Sequence, residues 1–253
     1  MSRPWFPWLA GGVSALGVGA VVVAARRRAA ELVGPQLYRS FAMRFFLSHE
    51  ALRRNLDRFV QIIDREEATD LEAFGETVRL YGEFLTAHDE SEDRFIFPML
   101  RRASTLRSTD AAHLDFWTEE HHEVNALAAV LIRAGDAVRS GGRIAYGELR
   151  GTVFELDEIL RPHLAAEEQL INAEHLAEMV PPEAIRDMER AMRKELFHDQ
   201  RLMLFFVHSL GADEQRRLTR EMPAVFRKWI LPRWDRRLFT RYAPLAVEPQ
   251  LAV

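Results

Sequence analysis

From Pro35 to about residue 241, apolar side chains recur at spacings of three and four, and the strict alternation of a half-buried strand is missing. That period predicts helices, and Pro, Gly and short polar clusters mark where each should stop. The expected long helices run from about Gln36 to Glu67, Leu71 to Arg101, Thr109 to Arg139 and Tyr146 to Met179. Thr69-Asp70 separates the first two, Pro98 falls near the end of the second, Gly141-Gly142 closes the third and Pro181-Pro182 the fourth. Short links between long helices predict an all-α, up-down-up-down four-helix bundle. Two further amphipathic stretches follow, about Glu183 to Leu210 and Ala212 to Arg241, broken by Gly211 and Pro223. The expected organisation is residues 1–30 as an apolar anchor, 35–180 as the bundle, and 181–253 as a helical basic and aromatic extension.

The first thirty residues follow a different rule. Leu9 to Ala25 is a run of 17 residues without a charge, preceded by Trp5, Phe6 and Trp8 and closed by Arg26-Arg27-Arg28. A run of about 17–25 apolar residues spans a bilayer as a helix. The aromatic group suits one interface and the arginines the cytoplasmic side. A single membrane anchor over residues 5–28 with the bundle in the cytoplasm is therefore expected. The alternatives are a cleaved signal peptide, for which Arg3 alone makes a thin basic start, and an apolar helix packed on a soluble cytoplasmic protein.

Composition narrows the chemistry. The chain has 253 residues, 48% hydrophobic and 28% charged, which is an ordinary globular balance. Its net charge of −4 carries no nucleic-acid signature. The charge is uneven, however: Glu214 to Ala243 holds nine Lys or Arg against three acids, so this stretch is +6 and the remainder −10. Basic residues there alternate with Phe226, Trp229, Trp234, Phe239 and Tyr242. Residues 212–242 could thus lie on an anionic membrane surface, or pack on the bundle with their arginines in solvent. Cysteine is absent, which excludes disulfides, thiolate nucleophiles and iron–sulfur clusters. Any metal must be held by imidazole and carboxylate.

The nine histidines are placed to do so. His49 falls on the first expected helix, His88 and Glu92 on the second, His121 beside His122 on the third, and His163 and Glu167 on the fourth. Residues four apart share a helix face, so each His-x-x-x-Glu pair can converge on one point. The pattern repeats: a lone His is followed 39 residues later by His-x-x-x-Glu, and a second lone His 42 residues later by the same motif. Two such hairpins docked face to face would bring four imidazoles and two carboxylates inside, the design of a dinuclear site. Imidazole mixed with carboxylate favours non-haem iron, with manganese or zinc as alternatives. One histidine on an apolar face is usually a hydrogen-bonded core residue. Six inward groups without a metal would be costly to bury.

These strings resemble a hemerythrin-type HHE cation-binding domain over about Phe41 to Ala177. The segments are His49-Glu50-Ala51-Leu52-Arg53-Arg54, His88-Asp89-Glu90-Ser91-Glu92-Asp93 with Phe97-Pro98, Glu120-His121-His122-Glu123-Val124, and His163-Leu164-Ala165-Ala166-Glu167-Glu168. The tail from about Met179 to Tyr242 resembles those that follow this domain in bacterial relatives. The resemblance implies two iron ions held by His49, His88, Glu92, His121, His163 and Glu167, with the glutamates bridging. Dioxygen, nitric oxide or peroxide is the implied partner. It also implies a binding, sensing or iron-handling role, the alternatives being a peroxidase- or catalase-like enzyme and a metal-free helical adaptor.

One departure is evident. Hemerythrins proper carry two histidines a turn apart on the third helix, whereas Trp117 and Asn125 flank His121 here, so one ion is expected to lack an imidazole. His122 is the alternative ligand, and Glu168 and Asp93 are expected behind the ligands or in solvent. Trp117, Phe84, Phe95 and Phe116 are candidates to wall the pocket, and His113, His175, His198 and His208 match no motif.

Overall fold

The computed structural model describes residues 34–65, 71–140, 145–196 and 199–238. Among them every regular element is helical and no strand occurs. The long elements are α1 (Pro35–Arg65), α2 (Leu71–Ser91), α4 (Ser108–Arg139) and α5 (Ala145–Leu170). Shorter ones are α3 (Phe97–Arg101), α6 (Ala173–Met179), α7 (Pro182–Leu196), α8 (Gln200–Ser209), α9 (Ala212–Glu221) and α10 (Leu231–Leu238). The expected anchor at residues 1–30 lies outside the described residues, as do His198, Phe239 and Tyr242. No helix among the described residues is long and apolar enough to cross a membrane.

Two boundaries differ from the sequence expectation, each for a local reason. The fourth long helix does not run to Met179: it stops at Leu170, and α6 starts afresh after Asn172. The Asn172 side chain accepts the His175 backbone N–H at 2.9 Å, an N-cap that periodicity alone conceals. The second helix is likewise not uniform. Pro98 has no N–H and would press on the carbonyl four residues back. The chain widens into a π turn over Glu92–Ile96, in which the Phe97 N–H bonds to the Glu92 carbonyl. The same solution recurs before Pro232, over Phe226–Ile230.

The long helices touch in a closed cycle, α1 with α2, α2 with α4, α4 with α5, and α5 with α1. Phe59 of α1 meets the rings of Phe74 and Tyr81, while His49 meets His88, so α1 and α2 run antiparallel. The tightest approach is between α2 and α4. A Cβ on Gly75 would sit 2.5 Å from the Gly135 carbonyl oxygen, and one on Gly135 would sit 2.5 Å from that of Gly75. Glycine is required there because the two backbones touch.

The apolar core has two layers. One includes Leu52, Leu56, Phe59, Leu85, Val124, Leu160 and Leu164; the other includes Phe41, Phe45, Phe97, Leu114, Trp117 and Leu170. On every long helix the residues between these layers are the histidines and glutamates singled out from sequence. A third cluster joins α8–α10 to α1, and Asn55 of α1 donates to Ser209 at 2.7 Å. Phe226 and Trp234 pack in this cluster, whereas Trp229 stays 73% exposed.

The glycine contact makes a paired expectation. Gly135→Ala should cost about 1–3 kcal/mol through overpacking against backbone that cannot yield. Gly151→Ala, on α5 with no atom near its added Cβ, should stabilise by about 0.5–1 kcal/mol. Urea unfolding of both variants checks this, and equal midpoints would show that α2 and α4 are not in backbone contact.

Candidate metal centre

Four helical segments deliver the polar layer. His49 comes from α1, His88 from the last turn of α2, Glu92 from the first residue of the π turn, His121 from α4, and His163 and Glu167 from α5. All six are buried; His49, Glu92 and Glu167 are 0% exposed and His88, the most open, 7%. They form two groups that could each hold a metal ion: His49, His88, Glu92 and Glu167, and Glu92, His121, His163 and Glu167. Both glutamates belong to both groups.

The distances show how the carboxylates are shared. Glu92 turns Oε1 toward His88 Nε2 (3.2 Å) and His49 Nε2 (3.7 Å), and Oε2 toward His121 Nε2 (3.3 Å). Glu167 turns Oε2 toward His49 Nε2 (3.6 Å), and Oε1 toward His163 Nε2 (3.3 Å) and His121 Nε2 (3.8 Å). These contacts lack hydrogen-bond geometry: His49 Nε2, His88 Nε2 and all four carboxylate oxygens are buried without a partner. A buried unsatisfied polar atom costs about 1–3 kcal/mol, so six together approach the stability of a whole domain. His121 Nε2 and His163 Nε2 lie 3.1 Å apart in hydrogen-bond contact, but the other six inward atoms crowd one region without bonding each other, arranged around a shared space. The donor set therefore fits a metal pair, with two imidazoles and two carboxylate oxygens available to each half.

Outer carboxylates orient the rings. The Nδ1 of His49 is 3.0 Å from Glu168 Oε1, that of His121 is 3.0 Å from Asp93 Oδ1, and that of His163 is 3.0 Å from Glu120 Oε2. Each such contact holds the proton on Nδ1 and leaves the Nε2 lone pair for the interior. Glu168 also accepts from Arg53 at 2.8 Å, and Asp93 from Thr118 at 3.2 Å.

Several expectations resolve here. His121 turns inward while His122 is exposed. Each group holds two imidazoles, and no second histidine of α4 joins His121. Trp117 occupies the space instead, its ring 6.4 Å from that of His163. Of the expected aromatic wall, Trp117 meets the site, whereas Phe116 is 58% exposed and Phe84 stacks on Phe206 of α8. The other rings that meet the site are Phe45, 4.2 Å from His49, and Phe97, 5.5 Å from His121. Phe45 could have been found, because it precedes His49 by one turn on the same face; Phe97 could not, because the π turn shifts its direction. Glu120 was also missed as a partner, although it stands directly before His121. His113 lies against Trp117, His175 bonds to Asn172, and His208 pairs with Asp235.

Charge in the metal-free site is distributed unevenly. Burial lowers the His121 and His163 imidazoles, but the carboxylates beside them, Asp93 and Glu92 for the first and Glu167 and Glu120 for the second, more than reverse this, to about 11 and about 9. Burial dominates at His88, which falls to about 3. Burial and the neighbouring Glu92 charge raise Glu167. Asp89, buried with Oδ2 unpartnered, is raised well above the usual carboxylate range by burial.

No protein-family model, curated protein or solved structure matches this chain. The functional reading rests on the side chains themselves.

The raised histidines fix a sign. Without metal, the stability they contribute is fully present below about pH 6.5 and is lost as pH rises through about 9 for His163 and about 11 for His121. Metal needs these Nε2 lone pairs, and His49 is raised as well by Glu168 and the buried glutamates, so loading near pH 7 should release at least about two protons. Thermal melts of the metal-free chain at pH 6.5 and 9 should show a lower midpoint at the higher pH, and calorimetry in buffers of different ionisation enthalpy should count the protons. A higher midpoint at pH 9 would remove the ion-paired picture of the empty site.

Proposed function

We propose that the four long helices are an up-down-up-down bundle of hemerythrin-like type, that the chain holds two non-haem iron ions, and that it binds or senses dioxygen or nitric oxide. The observation that carries this reading is the sharing of Glu92 and Glu167, each of which offers one oxygen to each pair of histidines. His49 and His88 would hold one ion, His121 and His163 the other, and the glutamates would bridge. Imidazole with carboxylate suits iron better than zinc, which favours closed tetrahedral sites, and no thiolate competes.

Held by these six side chains, a reduced iron pair would supply the electrons that bind a small ligand. The chain does the rest. Asp93, Glu120 and Glu168 keep three imidazoles in the tautomer that ligates. Phe45, Phe97 and Trp117 crowd the ligand rings from the apolar layer and keep water from the centre. Among the described residues no nucleophile or separate acid–base pair accompanies the ligands, which favours binding over turnover. A metal-free adaptor is disfavoured by the unpartnered atoms, which a purely structural core would have replaced by apolar groups.

Anaerobic loading should give two iron ions per chain. Air should then produce a visible charge-transfer band that fades under argon, and Glu92→Gln with Glu167→Gln should abolish it. Protein that takes up no iron sinks the proposal. A band that never reverses, with steady consumption of hydrogen peroxide, would make the chain an enzyme instead.

A further inference from the structure

The repeat that builds the centre is imperfect in its outer layer. In the first hairpin the lone histidine is His49 and the paired one His88; in the second they are His121 and His163. The lone histidines are supported alike: His49 by Glu168, which follows Glu167, and His121 by Asp93, which follows Glu92. The paired histidines are not. His163 leans on Glu120, the residue before His121, and the counterpart of Glu120 in the first hairpin is Ser48. The Ser48 hydroxyl donates to the Phe45 carbonyl at 2.6 Å, and among the described residues no carboxylate hydrogen-bonds to His88 Nδ1. Support at His49 is also diluted, because Arg53 neutralises Glu168 at 2.8 Å.

A carboxylate behind a ligating imidazole changes metal affinity by about 10–100-fold. The His121–His163 half has two such supports free of arginine, and the His49–His88 half has one that an arginine shares. Glu168, the one support of the weaker half, also lines a surface groove. A groove of about 490 Å³ runs between α1, the α5–α6 junction and α9, with Glu168 and Arg53 in its wall beside Glu50, Glu174 and Glu214. Four carboxylates face three arginines there (Arg39, Arg53 and Arg217), and Glu168 links the groove wall to His49 Nδ1.

We propose that the halves load in order: the His121–His163 half takes its ion first and retains it, and the His49–His88 half takes an exchangeable ion through the groove at Glu168. This rests on the two-metal reading above. It makes occupancy of the second half the variable that responds to free metal.

Cobalt(II) titrated into the full metal-free chain tests the order, because Trp117 reports on one half. Its ring is 6.4 Å from His163, so a paramagnetic ion there quenches it. Trp117→Phe supplies the background to subtract from the other tryptophans. Trp117 emission should fall with the first equivalent and change little with the second. Calorimetry should resolve two steps at least about tenfold apart in affinity. Glu120→Gln should narrow that gap and Glu168→Gln widen it; both side chains are partly exposed, so folding should be retained. Quenching only with the second equivalent, or two equal steps, overturns the order. Binding of no cobalt at all overturns the two-metal reading itself, and this inference with it.

Discussion

Two carboxylates that are 0% exposed, Glu92 and Glu167, lie between two layers of apolar side chains, and the rest of the molecule is arranged around making that tolerable. A buried carboxylate without compensation is among the most costly groups a core can hold. The four surrounding imidazoles compensate only in part, because their nitrogens stand 3.2–3.8 Å from the carboxylate oxygens without bonding geometry. The mismatch is directional. A core selected for stability alone would close those gaps or remove the charges, whereas a core that receives cations must keep them. The same constraint explains the outer carboxylates: three of the four rings, His49, His121 and His163, are held by the far nitrogen.

The helices serve that constraint at a distance. The Gly75–Gly135 contact draws α2 against α4, and ion pairs of Glu76 with Arg79 and Arg139 cover it. That clamp sits several turns from the site, yet it sets the spacing of the helices that carry His88, Glu92 and His121. On the opposite side, Arg161 of α5 reaches Asp57 of α1 at 2.5 Å, while Arg53 and Glu168 join the same helices nearer the centre. Each flank therefore has a polar fastening outside the apolar layers, and the layer of histidines and glutamates is held by packing above and below it.

Much of this was legible in the sequence because helical periodicity and motif spacing report the same geometry. His88 with Glu92, and His163 with Glu167, had to share a face, and the repeat implied that both faces meet. The helical class and the α4 limits followed from apolar spacing and the Gly141-Gly142 stop. What was not legible depended on contacts between helices or on local backbone adjustment. Asn172 reads as an unremarkable helical residue until its side chain is seen to cap α6. Phe84 has the composition of a pocket wall, but α8 covers it, and nothing local announces where α8 docks. That Trp117 replaces an imidazole was legible; that the shared glutamates leave each half an equal set of four groups was not.

The π turn shows how far one residue's influence extends. It coincides with Glu92, which tempts one to see it as a device for aiming a ligand. The second hairpin argues otherwise. Glu167 and Glu168 divide the same labour, one inward and one to the lone histidine of the other hairpin, on a helix with no π turn. Adjacent residues on any helix differ by about 100° in direction, and that suffices to serve both roles. The π turn precedes Pro98 as another precedes Pro232, although Pro162 is carried inside α5 without one. Its effect falls on the residues that follow it: Phe97 is set parallel to the His121 ring, 12° between planes, where an aromatic surface shields the half of the site that is most fully supported from behind.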